Sequence, residues 1–318
     1  MNPYINFREN DIKSQLIQGI QTKNRRLSVL GQRFEKYIGN AYQADIFFIL
    51  IDDGHKEVPA HKILLSTASA TMSHLMFPIC DDNLASKNEA AICSSATSES
   101  ITKMKISKMS LNSMIELIAY IYTGGLILTK KNAYEILVKS RDFKIIALEA
   151  KCVDYLMKHL NGKIVCHLYG FLRRYYDHGW SSERCKKYIQ RATKAALASD
   201  GLLELNEREM RSIYTLHSLN CMEFDLFAAA LNWAKSECAR RDIAINTTNK
   251  RIVLKNLIKC VRFRSLTLEQ FQRCTELEED FFTPEEITNI ETCILNKCKN
   301  HNQRFANVAS GLFFFCFK

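Results

Sequence analysis

The chain has 318 residues and a mass of 36.7 kDa, with 47% apolar and 25% charged residues. This composition excludes wholesale disorder and gives enough length for about two domains. Only 4 Pro and 11 Gly are present, too few turn formers for an all-β protein, so helices should dominate. The net charge is +10, with 7 basic and 3 acidic groups in residues 1–40, 13 and 13 in 41–160, and 24 and 18 in 161–318.

Residues 1–20 read as an N-terminal extension. Leu27, Leu30, Phe34 and Ile38 then recur every three or four positions, which predicts a helix with one apolar stripe. Asp45–Ile51 is a continuous β-favouring run and reads as a strand buried on both faces. Asp52-Asp53-Gly54 supplies a turn, and His55–Val58 the return strand of a hairpin. Pro59 should open a helix through Ile63, Leu64 and Leu65, because its fixed φ suits a first turn. A short second helix spans Thr71–Phe77. From about residue 80 to 102 the pattern collapses into Asp, Asn, Ala and Ser, and the segment reads as an insert.

Met104 and Ile106 alternate with lysines as a strand. A helix carrying Leu111, Met114, Ile115, Ile118 and Ile121 stops at Gly124, where glycine can take the left-handed cap. Two more helices are expected at Ala133–Phe143 and Ala147–Leu160. Beyond 160 no strand is evident, and residues 163–176, 183–199, 207–217, 223–239, 248–261, 267–276 and 284–299 read as amphipathic helices. Thr283-Pro284-Glu285-Glu286 is a clean start signal for the last of these. Asn161-Gly162 marks the domain boundary.

The basic runs, Lys23-Asn24-Arg25-Arg26, Arg173-Arg174 and Arg240-Arg241, are short and lack interleaved aromatics. They read as solvated helix faces, and nucleic acid is not expected as a partner. The opening Met1-Asn2-Pro3-Tyr4 has no basic or apolar leader pattern, so the 12 cysteines are expected to be reduced thiols in the cytoplasm, the nucleus remaining open. Most sit among apolar neighbours (Cys152, Cys166, Cys221, Cys238, Cys260). The one metal-like spacing, Cys293-x4-Cys298-x2-His301, lacks a second ligand pair. No apolar run approaches the roughly 20 residues that span a bilayer. Phosphate-loop, dinucleotide, nucleophile-elbow and zinc-protease patterns are all missing, so no catalytic residue, cofactor or metal is assigned. His61 is the best-placed histidine and reads as a structural donor, and Trp233 reads as core.

The string Ala44-Asp45-Ile46, Val58-Pro59-Ala60-His61-Lys62-Ile63-Leu64-Leu65-Ser66, Leu75-Met76-Phe77 and Tyr120-Ile121-Tyr122-Thr123-Gly124 resembles a BTB/POZ domain, here residues 21–160. Residues 161–300 look like the all-α BACK domain that often follows it. Leu219-Asn220, Glu223, Phe227, Trp233-Ala234, Asn249-Lys250-Arg251 and Val261-Arg262-Phe263 are similar to the subgroup that carries a C-terminal PHR β-sandwich. The resemblance implies an α+β BTB domain, a small sheet capped by helices, followed by a helical BACK domain. It also implies a homodimeric adaptor that binds the N-terminal region of the scaffold cullin-3 and brings an unknown protein substrate to a ubiquitin ligase.

The apolar stripe of Leu27, Leu30, Phe34 and Ile38 is what a two-fold dimer would bury, and by resemblance Asp45 and Lys62 match the charged pair near the dimer seam. The cullin surface takes Met76, Phe77, Ile79, Asp81, Leu84 and Tyr122. The family's apolar-x-Glu element aligns best with Leu84-Ala85-Ser86, which puts serine where the acid belongs, and Ile79-x-Asp81 could substitute. Residues 301–318, an apolar and aromatic tail, leave no length for a PHR domain. Three readings stay open: a cullin-3 adaptor, a BTB-BACK dimerisation scaffold without ubiquitin chemistry that could act as a dominant-negative form, and a truncated product.

Overall fold

The computed structural model describes residues 29–78, 101–176 and 179–297. The chain divides into two compact units between His159 and Leu160. The first contains α1 (Val29–Phe34), β1 (Ile46–Leu50), β2 (Lys56–Ala60), α2 (Lys62–Ser66), α3 (Ala70–Met76), β3 (Thr102–Ile106), α4 (Leu111–Thr123), α5 (Ala133–Asp142) and α6 (Ile146–Lys158). The expected extension at 1–20, the tail at 301–318 and almost all of the insert lie outside the described residues; Thr102 already belongs to β3.

The sheet has the order β2-β1-β3, with β1 antiparallel to β2 and parallel to β3. The expectation that β1 is buried on both faces is corrected. Ile46, Phe48 and Leu50 are fully buried while Phe47 and Ile49 are half-buried. Their lateral neighbours on that second face include Glu57 and Lys103, which form an ion pair at 2.7 Å, so it is a polar-flanked face.

Pro59 is also corrected from helix opener to strand residue, paired with Phe47. It is tolerated because β2 is an edge strand, where a missing N–H need cost no ladder bond. The helix begins three residues later, at Lys62. Only Leu65 of the expected Ile63-Leu64-Leu65 cluster is fully buried, and Ile63 is exposed. The expected N-terminal helix is short: α1 gives way to a 3-10 turn at Glu35–Tyr37. Helix α4 is the centre of the unit, with Met114, Leu117 and Ile118 fully buried. Gly124 ends it with φ +71° and its N–H on Tyr120 O.

The second unit is helical throughout its described residues: α7 (Val165–Tyr175), α8 (Trp180–Arg191), α9 (Thr193–Leu197), α10 (Asp200–Leu203), α11 (Glu207–Tyr214), α12 (Glu223–Arg240), α13 (Thr247–Leu254), α14 (Leu268–Leu277) and α15 (284–297). The single helix expected at 183–199 is broken at Ala192. There Asn220 donates its N–H to Gln190 O and its side-chain amide to Arg191 O, so an incoming loop occupies carbonyls a continuous helix would use, and the same N–H also reaches the Thr193 hydroxyl. Similarly, the helix expected at 248–261 ends at Leu254, followed by a 3-10 turn at Ile258–Cys260. Trp233 is fully buried with its indole N–H on Leu205 O at 2.7 Å, as a core tryptophan requires. The start signal at Thr283 is a reciprocal cap, with Glu286 N–H on Thr283 Oγ1 and Thr283 N–H on the Glu286 carboxylate.

Candidate functional site

The first unit holds the sequence-predicted interaction residues, and the structure sorts them into surface and interior. Helix α1 leaves Val29 and Leu30 exposed at 73% and 59%, while Phe34 is half-buried and Ile38 enters the core. The stripe therefore splits: its C-terminal end is used by the monomer and its N-terminal end faces solvent. Leu27 lies outside the described residues, as do Ile79, Asp81 and Leu84.

Asp45 and Lys62 are brought together, but by the backbone. Asp45 Oδ1 accepts the Lys62 N–H at 2.8 Å, while the Asp45 N–H and C=O bond Ala60 and Thr102. The carboxylate thus caps the first turn of α2 and locks the start of β1 to it. No Asp45–Lys62 ion pair is formed among the described residues.

Met76 is buried, Phe77 is 49% exposed and Tyr122 is buried. Tyr122 Oη accepts the His61 backbone N–H at 2.8 Å and lies 3.0 Å from His61 Nδ1, while His61 Nε2 lies 3.0 Å from Tyr42 O. Every donor is satisfied if the phenol donates to Nδ1 and Nε2–H donates to the carbonyl. Burial pushes the Tyr122 phenol far above its usual range. His61 is thus a satisfied structural histidine, and a partner at this surface would meet Phe77 before Met76 or Tyr122.

Sequence reasoning missed an open groove of about 650 Å³ lined by Thr67, Ser69, Tyr120, Ile121, Ile145 and Ile146 among others. Ser69 builds it: its hydroxyl accepts Met72 N–H to cap α3 and donates to Phe143 O, pinning the α5–α6 turn against α3. Lys144 takes φ +53° in that turn, and Ile146 emerges at the start of α6 at 76% exposure. Burial raises the Tyr120 phenol, over whose ring the Lys151 ammonium sits at 4.8 Å.

Other chemistry is quiet. Burial pushes the Cys152, Cys185 and Cys274 thiols up to about 12 and Cys166 to about 11, which suits inert core thiols rather than nucleophiles. Among the described residues no group of three or more His, Cys, Asp or Glu could hold a metal ion, and no helix is long and apolar enough to cross a membrane. Cys298 and His301 of the metal-like spacing lie outside the described residues.

A small sheet packed on helices makes the first unit an α+β fold, with an exposed apolar helix end and an open groove on its surface. The family model of the BTB/POZ domain matches residues 40–160 of the chain. Mouse BTB/POZ domain-containing protein 6 is 28% identical over 262 residues, covering 82% of this chain and 45% of its own length. Human BTB/POZ domain-containing protein 3 is 26% identical over 241 residues, covering 76% and 43%. The chain thus spans less than half the length of these relatives. The solved BTB domain of human gigaxonin aligns with 49% of this chain and 98% of its own, at 15% identity and a TM-score of 0.27. BTB domains generally mediate dimerisation and protein interaction, and BTB/POZ proteins are typically non-enzymatic adaptors.

Proposed function

We propose that this protein is a homodimeric, non-enzymatic adaptor of the cytoplasm, with a BTB domain ending near residue 160 and a BACK domain beyond it, which joins an unknown protein substrate to the N-terminal region of cullin-3. The observation that carries the reading is the exposed end of α1. Val29 and Leu30 are large apolar side chains left exposed, while Ile38 beyond them is buried. An isologous partner would bury that end against its own copy. Phe77 and the Ser69–Ile146 groove supply the apolar surface for a second protein.

Sedimentation of the full chain at micromolar concentration tests the dimer, and Leu30→Glu is expected to yield monomers without loss of helicity. A wild-type monomer would overturn the dimer. Capture of the cullin-3 N-terminal region by the wild-type chain, reduced by Phe77→Asp, tests the second half. Failure of capture with an intact dimer leaves the scaffold reading, which the serine at Ser86 favours.

A further inference from the structure

Helix α8 turns Ser182, Cys185 and Ile189 into the core of the second unit. On its opposite face Trp180, Arg184, Lys187 and Arg191 follow one another at i, i+4, i+7 and i+11, and all four are exposed. At 1.5 Å per residue they form a straight stripe about 16 Å long. Trp180 is 71% exposed, although a ring of this size ordinarily contributes to a core.

The charges are equally unspent. Glu183, the acid nearest in sequence, is held by Lys186 at 2.6 Å. Among the described residues Arg184, Lys187 and Arg191 make no ion pair and no side-chain hydrogen bond. Lys194, in the next helix, extends the basic surface: it is mostly exposed and its nearest acid, Asp225, is 3.8 Å away. By contrast, each dense basic run of this unit has an acidic partner. Arg174 grips Glu209 at 3.0 and 3.1 Å, and Arg240 and Arg241 share Glu237.

We propose that the α8 stripe docks an acidic segment of a partner protein, an apolar residue of which seats on Trp180 while its carboxylates pair with Arg184, Lys187 and Arg191. The occupant follows from charge complementarity and layout. Guanidinium groups take carboxylates through paired N–H donors, and tryptophan and arginine are both enriched among the residues that carry interface energy. Single-stranded nucleic acid is served by aromatics interleaved with cations, whereas here one aromatic stands at the end of a cationic row. The stripe belongs to the second unit, and the proposal stands whether or not cullin-3 binds.

The chain has two tryptophans, and Trp233 is sealed in the core, so a change in emission on adding a ligand reports Trp180. The probe is a synthetic peptide of a leucine followed by a run of glutamates, titrated into the full chain at low and physiological salt. A saturable blue shift is expected, weaker at the higher salt. The triple variant Arg184→Glu, Lys187→Glu, Arg191→Glu should bind more weakly by on the order of tenfold, with unchanged circular dichroism because all three side chains are exposed. Trp180→Phe should lose the emission change and weaken binding of the fluorescently labelled peptide. The proposal is overturned if the glutamate peptide gives no saturable shift, if the triple variant binds it equally well, if a lysine peptide gives the same shift, or if oligothymidylate binds more tightly.

Discussion

The two units satisfy their buried polar groups over different ranges of sequence. In the BTB unit, side chains stitch together segments far apart: Tyr122 with His61 across 61 residues, Asp53 with Leu111 across 58, Ser69 with Phe143 across 74. In the helical unit the links are caps within one turn, as at Asn206–Glu209 and Thr267–Gln270, or ties between nearby helices, as in Lys250–Glu278 across 28 residues and Arg174–Glu209 across 35. The first unit depends on non-local closure, the second on neighbour-to-neighbour packing. The same contrast governs their surfaces: the BTB unit presents apolar residues left over from the core, the helical unit a charged stripe left over from its ion pairs.

Two substitutions test whether the units are independent. Trp233→Ala removes the largest fully buried side chain of the helical unit and strands Leu205 O, at an expected cost of about 3–5 kcal/mol. Denaturant unfolding followed by circular dichroism should show the helical unit melting early while the BTB transition stays in place. A single transition shifted as a whole would break the comparison and make the two units one cooperative body. Tyr122→Phe should do the reverse at smaller scale. It leaves the buried His61 N–H without its acceptor, a loss of about 1–3 kcal/mol confined to the BTB unit.

What the sequence made legible follows the same division. Helices α7, α8 and α11 to α15 were visible because their contacts obey one local period, whereas α9 was read as part of α8 and the short α10 was not expected; the caps at Thr267 and Thr283 are written in adjacent residues. The breaks at Ala192 and Leu254 were not visible, because the Ala192 break is imposed by a loop 27 residues away that bonds Thr193. In the BTB unit the strand at Ile46 was legible as a strand, but its half-buried second face depends on which strands flank it. The turn at Asp52-Asp53-Gly54 was legible only as a turn. Its carboxylates also hold Lys108 N–H and Leu111 N–H, and nothing local announces that. Among candidate sites, the α1 stripe could be read from spacing. The Ser69 groove could not, since it needs the Ser69–Phe143 bond. The α8 stripe escaped notice because its cations are spaced by three and four, whereas the conspicuous runs Arg173-Arg174 and Arg240-Arg241 turn out to have acidic partners within their own unit.

The smallest expected effect sharpens the contrast by acid. Asp53 lies below its ordinary value of 3.8, first because the Lys56 ammonium bonds it at 2.8 Å and then because it accepts the Leu111 N–H. In the helical unit, Glu286 is held below its ordinary value of 4.5 chiefly by the Arg251 guanidinium. A carboxylate with a lowered folded value leaves the unfolded chain holding more protons as pH falls, so stability falls with it. Each contribution is whole above the ordinary value and disappears as pH drops through the lowered one. Asp53→Asn keeps an acceptor for Leu111 but removes the charge, and should destabilise the BTB unit at neutral pH by about 1 kcal/mol or less. The gap between wild type and variant should close below the ordinary carboxylate range. Glu286→Gln should give the same closing gap in the helical transition alone. If Asp53→Asn instead moves both transitions, the acid response is shared and the β1–β2 turn acts beyond its own unit; if its gap persists in acid, the turn is held by shape rather than by charge.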